Sequence, residues 1–110
     1  MMQIRIAAKQ FEIGQALPET VRKKLIAAIS KHFERDAEAQ VTFGKERDGF
    51  RADLGVHLSS GTKMQARGKG PDAYKAFDVA LDRLEKQVRR YTRRLKNHHD
   101  RGAGITRLAP

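Results

Sequence analysis

The stretch DGFRADLGVHLSSGTKMQAR, residues 48–67, has the clearest period-two pattern in the chain. Its apolar positions alternate with polar ones and are Phe50, Ala52, Leu54, Val56 and Leu58. Asp48-Gly49 before this run and Ser60-Gly61 after it are typical turn pairs. Because side chains alternate between the two faces of a strand, the run predicts a strand with one buried face, flanked by tight turns.

Three further strands follow from the same pattern. Val41 and Phe43 begin a strand that runs out through Lys45, just before the Asp48-Gly49 turn. After the Ser60-Gly61 turn, Thr62, Met64 and Ala66 alternate with polar residues and predict another strand. The N-terminal residues Met2, Ile4 and Ile6 alternate with Gln3 and Arg5 and predict the first strand of the sheet.

Two segments have helical periodicity instead. The first is predicted to run from about Gln15 to Arg35, with Gly14 as its cap and Pro18 in its first turn. Its apolar positions, spaced by three and four residues, are Leu17, Val21, Leu25, Ala28, Ile29 and Phe33. Gly68 to Gly70 are predicted to break the chain. A second helix then runs from about Pro71 to Asn97, with apolar positions Phe77, Leu81, Leu84, Val88, Tyr91 and Leu95.

The predicted fold class is therefore α+β, with element order β-α-β-β-β-α. A four-stranded sheet with both helices on one face forms a two-layer sandwich. Its other face is expected to be polar, exposing Arg5, Gln40, Thr42, Arg51, Asp53, His57, Lys63, Gln65 and Arg67. Residues 1–97 are predicted to form the domain. Residues 98–110, which contain Gly102 and Gly104 and have no periodicity, are predicted to be a flexible tail or the start of a linker.

The composition favours a polyanionic partner. The 110 residues include 23 Lys and Arg against 13 Asp and Glu, which gives a formal net charge of +10. Such an excess favours nucleic acid first and an anionic membrane second. The absence of cysteine excludes disulfides and thiolate metal sites. No apolar run approaches the roughly 20 residues of a membrane span. The N-terminal stretch MMQIRIAAKQFEIG alternates apolar and polar residues and lacks the apolar h-region of a signal peptide, so a cytoplasmic protein is expected.

Basic residues are concentrated in the second half of the last helix. No acidic residue lies between Lys86 and His99. Late bases suit the helix dipole, and a solvated face is the alternative interpretation. Like charges spaced by four residues, such as Lys86 with Arg90 and Arg90 with Arg94, nevertheless repel. Their density therefore indicates an anionic partner.

Arginine predominates among these bases, and its guanidinium can bind phosphate through two hydrogen bonds, which favours RNA over a membrane surface. A second basic cluster lies on the first helix. The candidate RNA-binding residues are Arg22, Lys23, Lys24, Arg83, Lys86, Arg89, Arg90, Arg93, Arg94 and Lys96.

No pattern in the chain predicts catalysis, a metal or a cofactor. His98, His99 and Asp100 are adjacent, and neighbouring residues seldom bind one tetrahedral ion together. Asp53 and His57 share a strand face about 13 Å apart, too far for a direct acid–base pair. Gly68-Lys69-Gly70 lacks the spacing of a phosphate-binding P-loop. A non-enzymatic protein without a small-molecule substrate is expected.

Three stretches resemble the ribosome hibernation-promoting factor and ribosome-associated inhibitor A family. They are AAKQFEIGQAL at residues 7–17, KERDGFRADLGVHLSSG at residues 45–61 and GKGPDAYKAFDVALDRLEKQVRRYTRRLK at residues 68–96. The resemblance implies a fold like that of a double-stranded-RNA-binding domain. It also implies binding to the 30S subunit between head and body, where members block the mRNA and tRNA paths under stress or in stationary phase. The positions that match the family's contacts to 16S rRNA are Lys24, Arg83, Lys86, Arg90, Arg93 and Arg94.

The chain departs from the family pattern at two places. Gly14 stands where the family usually has threonine at the first helix cap. The residues after Asn97 resemble neither a short-form end nor the dimerisation domain through which long forms pair two 70S ribosomes as 100S particles. Two other functions stay open at this point: a generic structured-RNA-binding module, and a protein-interaction regulator that modulates a sigma factor.

Overall fold

The computed structural model describes residues 2–9, 14–30, 37–59 and 61–105, without the side chains of Met2 and of residues 95–105. The predicted element order β-α-β-β-β-α is confirmed. The elements are β1 (Met2–Lys9), α1 (Ala16–Ile29), β2 (Ala37–Glu46), β3 (Gly49–Leu58), β4 (Lys63–Gly70) and α2 (Ala73–Ile105).

The four strands form one sheet in the order β1-β2-β3-β4. β1 and β2 are parallel, which requires a crossover connection, and α1 lies within it. β2, β3 and β4 are successive antiparallel strands, with Phe43 opposite Ala52 and Leu54 opposite Ala66. β4 is therefore an outer strand of the sheet.

Both helices cover the same face of the sheet and bury its apolar side chains. The ring centroids of Phe43 in β2 and Phe77 in α2 lie 6.4 Å apart, and the two ring planes are inclined by 50°. The largest fully buried side chains are Phe43, Phe77, Leu25, Ile29, Leu84, Val21, Val41 and Val88. On the opposite face Gln40 and His57 are exposed, as expected for a sheet with one solvated side.

The bounds of α1 and β2 differ from the predicted ones. α1 ends at Ile29, so the predicted end at Arg35 is wrong; residues 31–36, including Phe33, lie outside the described residues. Its cap is Gln15, without a side-chain hydrogen bond, rather than Gly14. β2 begins at Ala37, because the small apolar residues before Val41 alternate with polar ones and pair with both neighbouring strands.

The predicted chain break at Gly68 to Gly70 is wrong, because β4 continues through Gly70. Gly68 is buried beneath α2, where a Cβ atom would collide with the backbone oxygen of Ala76 and the backbone nitrogen of Ala80. The glycine is required by the close approach of the helix rather than by a turn. α2 begins at Ala73, where the Asp72 carboxylate accepts a hydrogen bond from the Lys75 backbone N–H at 2.9 Å and caps the helix.

Replacing Gly68 by alanine should destabilise the domain by about 1–3 kcal/mol, the usual cost of overpacking. The new methyl group can be accommodated only if α2 moves away from β4. Gly55→Ala on β3 is the matched control, because a Cβ there would meet no atom within 4 Å. Chemical denaturation of both variants measures the effect, and equal midpoints would show that α2 does not pack closely on Gly68.

α2 also extends eight residues past its predicted end at Asn97 and finishes at Ile105. Each residue added to a formed helix gains one backbone hydrogen bond, so a helix can continue through residues that lack apolar contacts. Gly102 makes the helix about 1 kcal/mol less stable than alanine would at that position, but it does not end the helix. The backbone of residues 98–105 is therefore helical, and residues 106–110 lie outside the described residues. The division into a domain over residues 1–97 and a flexible tail or the start of a linker over residues 98–110 stays a prediction.

Candidate nucleic-acid interface

Two hydrogen bonds join the exposed flank of α2 to β4. Arg83 Nη1 donates to the carbonyl oxygen of Arg67 at 2.7 Å, and Gln87 Nε2 donates to that of Gln65 at 2.6 Å. Both acceptors belong to the outer strand of the sheet, so these side chains satisfy carbonyl groups on its free edge. Arg83 therefore has a structural role as well as a positive charge.

The remaining bases of α2 are distributed around the helix. At about 100° per residue, Arg90 and Arg94 lie on the flank of Arg83, which faces β4. Lys86 and Arg93 point away from the sheet. The opposite flank faces α1, because Asp78 pairs there with Lys24 of α1.

Three of the predicted RNA-binding residues contact carboxylates. Lys24 Nζ lies 2.7 Å from Asp78 Oδ1. Two pairs lie along α2, each between residues four positions apart. Lys86 Nζ lies 3.2 Å from Asp82 Oδ2, and Arg89 Nη1 lies 4.0 Å from Glu85 Oε2. Exposed pairs of this kind contribute about 0–1 kcal/mol, so a phosphate can compete for these cations.

Arg90, Arg93 and Arg94 are different, because they are exposed and contact no carboxylate in the part of the chain that the structure describes. They follow one another over little more than one helical turn. The side chain of Lys96 lies outside the described residues. These three arginines, here called the arginine cluster, are the strongest concentration of uncompensated charge on the described surface.

The structure does not bring the whole predicted set onto one surface. Lys24 faces α2 through its pair with Asp78. Lys23 lies about 100° around α1 from Lys24, and Arg22 lies about 200° around the helix from Lys24. Arg22 is therefore on the flank of α1 that points away from α2 and its arginine cluster.

Three residues outside the predicted set line a groove beside the arginine cluster. Lys63 of β4 and Gln87 and Tyr91 of α2 line this groove together with Arg90 and Arg94. The helical period would have placed Gln87 and Tyr91 beside Arg90 and Arg94. The contribution of β4 follows only from the packing of α2 along that strand.

A network of charges ties together the open face of the sheet near the β2–β3 turn. Arg51 contacts Asp53 and Glu46, each at 3.0 Å. Asp53 also pairs with Arg67, and Glu46 lies 3.6 Å from Lys69. The hydrogen bond from Arg51 to Asp53, together with their opposite charges and the bond to Glu46, raises the pKa of Arg51. Arg67 and Lys69 are thus partly neutralised.

The described residues contain no group of three histidine, cysteine or acidic side chains placed to bind a metal ion. The side chains of His98, His99 and Asp100 lie outside them. In the described part of the chain, no helix is both long enough and apolar enough to cross a membrane.

The fold and the site define a basic two-layer α+β domain with an arginine-rich helix beside one sheet edge. Residues 4–96 match the model of the family described as Sigma 54 modulation protein / S30EA ribosomal protein. The chain belongs to this family.

Two groups of relatives are similar to this chain. The protein named ribosome hibernation promotion factor of Rhizobium meliloti is 37% identical over 98% of the chain, and the match covers 57% of that protein. The chain thus spans little more than half the length of that relative. The proteins named ribosome hibernation promoting factor of Salmonella typhimurium and Escherichia coli K12 are 33% and 31% identical over 88% of the chain and are matched over their whole length.

Two solved structures share the fold. The N-terminal domain of Thermus thermophilus Protein Y superimposes with a TM-score of 0.73 and 28% identity, covering 83% of this chain and 99% of that domain. A ribosomal subunit interface protein from Coxiella burnetii gives a TM-score of 0.71 and 25% identity, with 83% and 97% covered.

Proposed function

We propose that this protein binds the 30S ribosomal subunit in its mRNA and tRNA channel and blocks translation under stress or in stationary phase. Its relatives from Rhizobium meliloti, Salmonella typhimurium and Escherichia coli carry the name of a ribosome hibernation factor. The Coxiella burnetii structure is named as a ribosomal subunit interface protein. The proposed partner is 16S rRNA in the 30S subunit, within 70S or 100S ribosomes where these form.

The observation that carries this proposal is the arginine cluster. Arg90 and Arg94 are four residues apart, and Arg90 and Arg93 are three apart, so their charges repel along the helix. No described carboxylate offsets this repulsion. A phosphate backbone would offset it, and each guanidinium can bind phosphate through two parallel hydrogen bonds.

α2 presents these arginines on a rigid element. Its apolar face is buried through Leu84 and Val88, and the bonds of Arg83 and Gln87 fix its flank on β4. Little backbone order therefore has to be gained when RNA binds, which favours affinity. Lys24, Lys86 and Arg89 form exposed ion pairs, and they can extend the contact once a phosphate replaces their carboxylates.

The proposed mechanism is steric and needs no reacting group or cofactor. Phosphate contacts fix the position and orientation of a protein on RNA but carry little sequence information. Specificity for the 30S subunit would then come from the shape of the channel that receives the domain. The protein would act in the cytoplasm, where ribosomes translate.

Sucrose-gradient sedimentation with purified ribosomal particles tests this function. The protein should co-sediment with 30S subunits and bind a free RNA duplex much more weakly at the same salt concentration. Equal affinity for both would identify a generic RNA-binding module. Pull-down from lysate before and after nuclease treatment separates an RNA partner from a protein partner such as a sigma factor, whose capture would survive the nuclease.

Binding to 30S subunits should weaken steeply as salt rises. If about five phosphates are neutralised, the logarithm of the binding constant should fall with the logarithm of the salt concentration with a slope of roughly −3 to −4. The slope is measured by filter binding between low and physiological salt. A slope near zero would exclude phosphate contacts as the main source of affinity.

A further inference from the structure

A groove of about 500 Å³ runs between the start of β4 and the second half of α2. Six of its lining residues are Lys63, Met64, Gln87, Arg90, Tyr91 and Arg94. Its volume lies within the roughly 300–1,000 Å³ of small-molecule sites. The groove shares Arg90 and Arg94 with the arginine cluster, and Tyr91 gives it an aromatic wall in addition.

The inner surface of the groove is apolar. Met64 is buried, with 7% of its surface exposed, and Tyr91 is half-buried and packs against the core. Packing against the core restrains the Tyr91 ring, and its hydroxyl lies 3.4 Å from the Thr62 hydroxyl. A restrained aromatic ring at the side of an open groove offers a stacking surface for a flat ligand.

The rim of the groove is cationic. Lys63, Arg90 and Arg94 are exposed and contact no carboxylate among the described residues. Gln87 adds a directional group, because its amide nitrogen is bonded to the Gln65 carbonyl oxygen and its amide oxygen is left as an acceptor. A ligand for this groove should therefore combine a flat ring that carries a donor with negative charge at its edge.

We propose that the groove binds one unstacked nucleotide of a single-stranded RNA segment. The base stacks on Tyr91 and donates to the Gln87 amide oxygen, and the flanking phosphates contact Lys63, Arg90 and Arg94. A base inside a duplex is stacked on both faces and cannot reach the ring, so the segment has to be a loop, a bulge or an end. This inference rests on the proposed function for the choice of RNA and specifies which part of the RNA the site takes.

Amide chemical-shift mapping on the isotope-labelled protein tests the groove with three probes at equal salt. Penta-adenylate should shift the amides around Lys63 and from Gln87 to Tyr91, whereas a ten-base-pair duplex and ribose 5-phosphate should shift them much less. Equal shifts with ribose 5-phosphate would reduce the groove to a phosphate site and overturn the proposal. So would shifts confined to other surfaces.

Two substitutions of Tyr91 test the stacking. Tyr91→Phe keeps the ring and should bind penta-adenylate within about twofold of the unmodified protein. Tyr91→Leu removes the ring and should bind at least about fivefold more weakly, the lower end of the effect of removing one aromatic stacking partner. Equal binding by both variants would overturn the proposal. If Tyr91→Leu does not fold, the comparison of penta-adenylate with ribose 5-phosphate on the unmodified protein still decides.

The failure of this inference can be told apart from the failure of the proposed function. If the protein binds 30S subunits but penta-adenylate does not shift the groove amides, the groove is not a nucleotide site. If penta-adenylate shifts them but the protein does not co-sediment with 30S subunits, the nucleotide site stands and the ribosomal function is wrong.

Discussion

Replacing both Arg90 and Arg94 by glutamate should abolish binding to 30S subunits and leave the domain folded. Both side chains are exposed and contact no described carboxylate, so the change removes no core contact. Hydrogen bonds to charged groups contribute about 1.5–3 kcal/mol each, so losing two should weaken binding at least about 100-fold. The melting temperature should stay the same or rise, because glutamate at position 90 would attract Lys86 instead of repelling it.

Thermal melts and 30S co-sedimentation measure the two outcomes separately. The control is Arg47→Glu combined with Lys75→Glu, which changes the net charge by the same amount at exposed positions outside the predicted site. This control variant should still co-sediment. If the Arg90 and Arg94 variant melts normally and also co-sediments, the flank of α2 that faces β4 is not the binding surface. Equal loss in both variants would show that only net charge matters.

Replacing Leu84 by alanine should have the opposite effect. Leu84 has no exposed surface and lies in the core between α2 and the sheet. Emptying such a site costs about 2–5 kcal/mol, from the lost burial and the cavity that remains. The stability of a domain of this size is about 5–15 kcal/mol, so this variant should melt at a clearly lower temperature.

Binding by the Leu84→Ala variant should be normal at temperatures where the domain is folded and fail only as it unfolds. The control is Ile26→Ala on α1, where the residue is 47% exposed and truncation should change stability by about 0.5 kcal/mol or less. Similar melting temperatures for the two variants would contradict the core position of Leu84. Loss of 30S binding by a fully folded Leu84→Ala variant would mean that the core residue also shapes the binding surface.

The element order could be predicted because buried faces have a period that local sequence reveals. Leu54 and Val56 alternate with polar residues, and the structure buries both on the helix-covered face of β3. Leu84 and Val88 recur at the helical period, and the structure buries both on α2. Wherever an element has one apolar face and one polar face, its type follows from the spacing of the apolar residues.

Glycines and element ends were less predictable, because local sequence does not show what lies nearby in space. Gly68 was interpreted as a chain break, yet it lies inside β4 where α2 comes too close for any side chain. α2 continues past Asn97 to Ile105, since a helix can extend through polar residues that no apolar pattern marks. The same limitation placed the end of α1 at Arg35 instead of Ile29.

The basic character of α2 and its separation from the apolar stripe were fixed by sequence, because both depend on residue type and on the period of a single helix. Two side-chain partners were decided only by contacts between elements distant in the chain: Asp78 of α2 pairs with Lys24 of α1, and Arg83 bonds to a carbonyl oxygen of β4. The groove beside Tyr91 likewise exists only because α2 lies along the outer strand. Periodicity gives the face on which a side chain lies, whereas its partner is given by packing in three dimensions.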